Sequence, residues 1–328
     1  MQELPAEKSK KRLVKVSFET NPYHGKHPEK RSVTELLQNS IIILDKPSGP
    51  TAHQVDAWVR DIFNGEKVGH AGTLDPKVTG ILPLGIGHAT KALSVLSEAG
   101  KEYVGVMKLH KSVDKKHVQK TFNQFIGTIT QLPPVRSAVK RRKRKREIYY
   151  LELIEQNDTD VLFRVGCEAG TYVRTLCVDI GKKLGIGAQL AKLRRTKVGL
   201  FTEKDLVNLQ DVKDAYVFYQ EGYPDDLKKV LQPVERVFNH LPKIILRDSA
   251  IDAVCHGATL AVPGVVEVET GISKNMLVAL FSMKQEIVAI GKAKMSTEEI
   301  IDKDTGICVN PEKVFMKKGT YPAIWKKH

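Results

Sequence analysis

GHAGTLDPKVTGILPLGIGHATK, residues 69–91, is the stretch whose reading decides the fold. Gly69, Gly72, Gly80, Gly85, Gly87, Pro76 and Pro83 interrupt it too often for a regular helix. It is expected to be mostly loop, opening into a helix that runs to about Ala99. Its single carboxylate, Asp75, sits in Thr73-Leu74-Asp75-Pro76. Aspartate before proline is ordinary turn chemistry. A loop held by neighbouring elements is also a favoured place to present a reactive carboxylate, and the local sequence does not separate these two readings. Phosphate-binding readings fail. Gly80 to Gly85 has the G-x-x-x-x-G spacing, but Ile86 stands where lysine is required, and Gly85-x-Gly87 lacks its third glycine.

Upstream, Ile41 to Leu44 reads as a short strand ending in the turn Asp45-Lys46-Pro47-Ser48-Gly49-Pro50. Thr51 to Gln54 has capping-box spacing. Val55, Trp58, Val59 and Ile62 recur on one helical face, and Gly65 lies just past the end. Downstream, Tyr103 to Leu109 alternates like a strand and 117–126 reads as a helix. Lys140-Arg141-Arg142-Lys143-Arg144-Lys145-Arg146 is an unbroken run of cations after a turn at Pro133-Pro134. Strand-like runs at about 147–155 and 160–167 flank a hairpin signal at 156–159. A helix is expected from Gly170-Thr171 to Lys183, a strand from Leu190 to Phe201, and mostly helix over 205–235. From about 238 the texture changes to short β runs and glycine turns, with one helix near 249–256. The expected organisation is a basic arm over 1–37 packed on the tail module, a main domain over 38–237 and a small β-rich module over 238–328.

The 328 residues carry a formal net charge of +14, with a pI of about 9.4 and 41% hydrophobic content. That content supports a real core, and the charge favours a polyanionic partner over a merely solvated basic surface. The cation run is either a solvated loop or a phosphate-contacting element. Cys167, Cys177, Cys255 and Cys308 form no C-x-x-C pair, so no metal site is expected from them. Such sparse thiols suit a reducing cytoplasm. The sequence has neither an apolar signal core nor a membrane-length apolar run, and no membrane partner is expected. Tyr172 and Arg174 open the helix after Gly170. Arg174 is either a surface charge or the partner of a carboxylate distant in sequence.

These motifs together resemble the TruB-type pseudouridine synthases. HAGTLDPKVTGILPLGIGHATK at 70–91 looks like the catalytic motif of that family, LDKPSGPTAHQV at 44–55 like its first motif, and GTYVRTLCVDIG at 170–181 and LRRTKVGLF at 193–201 like its later ones. LRDSAIDAVCHGATLAVPGV at 246–265 resembles the opening of a PUA domain, an RNA-binding module. The arm and the long tail are most similar to the archaeal homologues of dyskerin. Ala52 departs from the serine that relatives often carry, with no expected effect on chemistry.

The resemblance implies an α+β fold with a mixed or antiparallel central sheet, plus a β-rich PUA domain. It implies isomerisation of uridine to pseudouridine in RNA, with Asp75 as the essential carboxylate. Tyr103 would stack on the target base, Tyr172 and Arg174 would line the pocket with the arginine paired to Asp75, and Leu193 would form an apolar wall. His70 would lie near the flipped nucleotide, the cation run would clamp substrate RNA, and Gly257 and Gly264 would contact RNA. The reaction needs no redox change or group donor, so no cofactor is expected. Implied partners are an H/ACA guide RNA, target rRNA or tRNA, and small zinc-ribbon-like, β-barrel and kink-turn-binding proteins. A stand-alone enzyme for the T-loop uridine of tRNA, and an RNA-binding scaffold without catalysis, are the competing readings.

Overall fold

The computed structural model describes residues 3–133 and 142–323. Two compact units emerge: one contains the chain to Lys8 and Ile41–Val230, the other Ser9–Ser40 and the chain from Leu231 onward. The N-terminal stretch contributes β1 (Arg12–Val14) and α1 (Val33–Gln38) to the second unit.

The first unit is built on a mixed sheet. Its strands are β2 (Asn39–Lys46), β3 (Val68–His70), β4 (Thr79–Gly87), β5 (Lys101–Leu109), β6 (Gly127–Gln131), β7 (Arg144–Asn157), β8 (Asp160–Cys167) and β9 (Ala188–Val198). The order runs β2-β4-β9-β5-β8-β7-β6, with β3 beside β4. β4 meets β9 in parallel at Thr79 and Gly80, whereas β9, β5, β8, β7 and β6 pair antiparallel. The expected α+β class with a mixed sheet holds.

Two helices cover one face of this sheet. α4 (Lys115–Asn123) contributes Val118 and Phe122, and α5 (Val173–Lys183) contributes Leu176 and Ile180; both pack on Met107, Ile148, Phe163 and Val165. Alternating burial on β5 and β8 is the period-2 pattern of a sheet with one face in a core. α5 comes so close to the sheet that a Cβ on Gly181 would lie 2.1 Å from the Ala188 nitrogen. Tyr103 and Leu193 are only partly buried at the rim of this core.

Two expectations need correcting. Residues 79–87 form a buried strand, not a loop, and the helix that follows is limited to α3 (Leu93–Ser97) after a 3-10 turn at His88–Lys91. Strands buried on both faces read as continuous apolar runs, and Gly80, Gly85 and Pro83 disguised this one. Pro83 falls between the join to β9 at Thr79–Gly80 and the pairing with β3 that begins at Leu84. The second correction concerns α2 (Ala52–Ile62). Its capping box forms as expected, with Thr51 Oγ1 accepting from the Gln54 N–H and Gln54 Oε1 from the Thr51 N–H. Its buried face, however, is Ala52, Val55 and Val59, while Trp58 is 45% exposed. α6 (Leu209–Gln220) and α7 (Asp225–Val230) complete the unit.

The second unit is a sheet in the spatial order 12–14, 265–269, 243–246, 277–282, 287–293, 307–314, 260–261. Helices α8 (Asp248–Cys255) and α9 (Thr297–Asp302) flank a core of Ile244, Leu246, Val268, Leu280, Val288 and Val309. The N-terminal stretch is tied into this unit three ways: β1 adds an edge strand on 265–269, Arg31 grips Glu235 through both guanidinium ends, and Asp248 accepts from Thr20 and the Asn21 N–H. Among the described residues no helix is long and apolar enough to cross a membrane.

Gly80 shows how tightly the first unit is built. Its φ is +97°, and a Cβ there would stand 2.3 Å from the Arg195 carbonyl oxygen on the neighbouring strand. Gly80→Ala is expected to cost roughly 3 kcal/mol from backbone strain and overpacking. Gly65, also at positive φ but with open space around it, should cost only about 1 kcal/mol when changed to alanine. Calorimetric melting of the two variants checks this; equal losses would refute the close-approach explanation.

Candidate active site

The loop between β3 and β4 carries Asp75, and two buried cations hold it. Lys46, at the end of β2, is fully buried and donates to the carbonyls of Pro47, Pro76 and Val78 at 2.8, 3.1 and 3.0 Å. Arg195, on β9, is 1% exposed; its Nε donates to the Ile81 carbonyl at 2.7 Å and its Nη2 to the Gly72 carbonyl at 2.9 Å. Tyr103 stands opposite it on the neighbouring strand and interacts with it electrostatically. Burial lowers the pKa of both cations, opposed at Lys46 by the charge of Asp75 and at Arg195 by Tyr103. A buried ion without partners is severely unfavourable. These carbonyls therefore have to stay where they are, which fixes the backbone on both sides of Asp75. The loop closes with the Gly49 N–H on the Pro76 carbonyl and the Val78 N–H on the Asp75 carbonyl, both at 2.9 Å.

Arg174 reaches Asp75 from the first turn of α5 and donates to Oδ2 through Nη2. A cation at a helix N-terminus opposes the helix dipole, so its place there does not serve the helix; its partner is the carboxylate 99 residues away. The start of α5 is fixed by Gln131, 2% exposed on β6, whose side chain accepts from the Tyr172 N–H and donates to the Tyr172 carbonyl. Both members of the ion pair remain solvated, with Arg174 58% and Asp75 59% exposed. Exposed pairs contribute little to stability, so the pairing orients the carboxylate rather than holding the fold.

Tyr103 lies opposite Arg195 on β5, and Leu193 opposite Gly105. Burial raises the Tyr103 pKa. His70 ends β3, with Nδ1 2.6 Å from Asp56 Oδ2 and Nε2 3.1 Å from Thr73 Oγ1. Asp75, Arg174, Tyr103, Leu193, Tyr172 and His70 are thus all carried by the first unit, with the Asp75–Arg174 pair made directly and Tyr103 linked to the loop through Arg195. The thiols offer no rival nucleophile: all four are buried and free, and burial pushes Cys167 and Cys177 up to about 12.

Other candidates fall elsewhere. Lys140 and Arg141 lie outside the described residues. Arg144, Lys145 and Arg146 are not in a loop but on β7, paired with Gln131, Thr130 and Ile129. Arg146 is further engaged by Glu168 at 3.3 Å and packs against Gly170, just ahead of α5. Arg142 and Lys143 are exposed. Gly257 and Gly264 belong to the second unit: Gly257 ends α8 at φ +89°, and Gly264 sits where a Cβ would press on Ala250. Lys46, Arg195, Gln131 and Asp56 were not singled out in the sequence. Lys46 and Arg195 lie inside quoted motifs, but nothing in one sequence tells a buried lysine or arginine from a surface one.

Comparisons with known proteins identify the family. Residues 60–117 and 110–173 match the TruB family pseudouridylate synthase (N terminal domain), and 174–239 the tRNA pseudouridylate synthase B C-terminal domain. Residues 242–315 match the PUA domain and 2–56 the DKCLD (NUC011) domain. A probable tRNA pseudouridine synthase B of Methanopyrus kandleri is 50% identical over 323 residues, covering 98% of this chain and 96% of the relative. The solved structure of a Cbf5–Nop10–Gar1 complex contains a chain 48% identical, with a TM-score of 0.92 over 98% of both chains. The structure of an H/ACA ribonucleoprotein bound to a substrate RNA containing 2′-deoxyuridine contains one 46% identical, with a TM-score of 0.91 over 98% of this chain and 100% of that one. With TruB family models matching 60–173 and 174–239 and a relative 50% identical over nearly the whole of both chains, the chain belongs to the TruB family of pseudouridine synthases.

Proposed function

We propose that this pseudouridine synthase is the catalytic subunit of an RNA-guided particle, and that Asp75 is the carboxylate that acts on the target uridine. The observation that carries the chemistry is an exposed Asp75 aimed by Arg174, on a loop whose backbone is pinned by Lys46 and Arg195. The reaction breaks the N1–C1′ bond, turns the uracil and rejoins it through C5, with loss of the C5 proton. A carboxylate becomes an effective nucleophile when it is desolvated and aimed. Here the aiming is built into the protein, while desolvation comes from the substrate, because the free carboxylate is open to water. The target base is everted to reach it. Tyr103 and Leu193, partly buried at the rim of the core, offer an aromatic face and an apolar wall for that base. Burial raises the Tyr103 pKa, which keeps the ring in its neutral form for stacking.

Targeting rests on likeness to relatives seen in H/ACA complexes with Nop10 and Gar1 and with substrate RNA. By that likeness the partners here are an H/ACA guide RNA, its rRNA or tRNA target, small proteins of the zinc-ribbon and β-barrel kinds, and a kink-turn-binding protein. The charge of +14 serves capture of RNA, with the cations of 140–146, Gly257 and Gly264 as contacts. Buried, unpaired thiols suit the cytoplasm. The stand-alone reading is favoured by relatives named as tRNA enzymes. Assaying the pure protein on tRNA, and then the assembled particle on a guide–target duplex, separates the two; full activity of the pure protein on tRNA would overturn the guided reading.

Asp75→Asn keeps the side chain's shape and removes its charge. Tritium release from uridine-labelled guided RNA should fall at least ~1,000-fold, and an unchanged rate would overturn the assignment. Lys46→Met lets the Pro76 and Val78 carbonyls move, and kcat should drop roughly 10- to 100-fold with KM nearly constant, read by the same assay at saturating RNA. Alanine at 142, 143 and 145 should flatten the dependence of RNA affinity on salt by about 0.7 in log–log slope per lost phosphate contact, with single-turnover rates at saturating RNA unchanged. Binding titrations at several salt concentrations measure it.

A further inference from the structure

We infer that His53, Asp56 and His70 form a binding site for a divalent transition-metal ion of the Zn2+, Co2+ or Ni2+ class, beside the loop that carries Asp75. His53 and Asp56 are one helical turn apart on α2, and His70 comes from the end of β3. Each offers one donor atom, and the three donors lie within 4.8 Å of one another. His70 Nδ1 is 2.6 Å and His53 Nδ1 3.8 Å from the same oxygen, Asp56 Oδ2. Tetrahedral ligands at about 2.0–2.2 Å from an ion stand roughly 3.3–3.5 Å apart. Sub-ångström to ångström adjustments of these side chains therefore admit the ion. His53 is 83% exposed and can swing inward, and its ring already meets that of His70 edge-on at 4.9 Å.

Three further features point the same way. Asp56 is only 15% exposed, yet its Oδ1 has no hydrogen-bond partner among the described residues, so this carboxylate has acceptor capacity to spare. The far nitrogen of His70, Nε2, is placed 3.1 Å from Thr73 Oγ1. That is the outer-shell contact that orients a ligating imidazole: in the metal-bound form Nε2–H donates to Thr73 and the Nδ1 lone pair binds the ion. Binding moves no electrons. The His70 Nδ1 proton, now directed at Asp56, is released to solvent or relocated to Nε2 as the metal–nitrogen bond forms. Finally, two imidazoles and one carboxylate suit the later first-row ions rather than Mg2+ or Ca2+, which prefer oxygen alone. Three protein donors leave a fourth position for water or an RNA phosphate oxygen. The ion ties α2 to β3 and, through His70 and Thr73, to the loop two residues ahead of Asp75.

The test is titration of chelator-treated full-length protein with Co2+, followed by its visible d–d absorption, and competition by Zn2+. One Co2+ per chain with an intense, four-coordinate spectrum that Zn2+ erases is expected. His53→Ala, at an exposed position, and Asp56→Asn should each weaken binding at least ~10-fold while circular dichroism and melting without metal stay as in the parent chain. Metal added to the parent chain, but not to His53→Ala, should raise the melting temperature. Equal Co2+ affinity in the parent and both variants, or no absorption at excess Co2+, would overturn the site.

Discussion

Two positive charges buried against peptide carbonyls hold the loop that carries Asp75. Lys46 and Arg195 come from β2 and β9, far apart in sequence, and clasp the same short stretch from its two sides: Pro76 and Val78 on one, Gly72 and Ile81 on the other. Desolvated cations without acceptors are among the costliest groups a protein can hold. Any loop conformation that withdraws those carbonyls strands a charge. The loop is thus pinned by the penalty of leaving rather than by contacts of Asp75 itself, whose side chain remains more than half exposed.

The glycine pattern acquires its meaning from the same arrangement. Gly80 has no side chain because the backbone of Arg195 passes within reach of where one would be. This close approach permits the short parallel join of β4 to β9. It delivers the Arg195 guanidinium to the Gly72 and Ile81 carbonyls at once. A glycine-rich stretch that resembles a phosphate loop in spacing is here a device for bringing two backbones together.

Much of this was legible in the sequence, and what escaped did so for identifiable reasons. The capping box at Thr51, the hairpin around 157–160 and helix α5 follow local rules, because their determinants lie within a few residues of one another. β4 was hidden: a strand buried on both faces has no alternation to read, and its glycines and proline imitate a loop. Trp58 fits the apolar period of α2 yet points outward, since periodicity marks a face without saying which residue at its edge is covered. Arg174 could be read as a partner for a distant carboxylate. Lys46 and Arg195 could not be distinguished from the many other basic residues, because burial of a cation is decided by tertiary neighbours. Asp56 meets His70 across 14 residues only once α2 and β3 are folded together.

In the proposed mechanism, an exposed Asp75–Arg174 pair on a strongly basic protein is a coherent design. In water two unit charges at about 4 Å interact by only ~1 kcal/mol, and by ~4 kcal/mol at the effective dielectric of a partly covered site. A pair left open in the free protein therefore gains strength when a nucleobase slides over it, at the moment when a fixed carboxylate is needed. The polyanionic substrate should repel Asp75, and two features counter this. The general excess of +14 draws the RNA in over distances comparable to the Debye length. At contact range Arg174 neutralises the carboxylate without covering it. On that proposal capture and chemistry fall to different charges, and the carboxylate stays bare for the sugar or base it would reach.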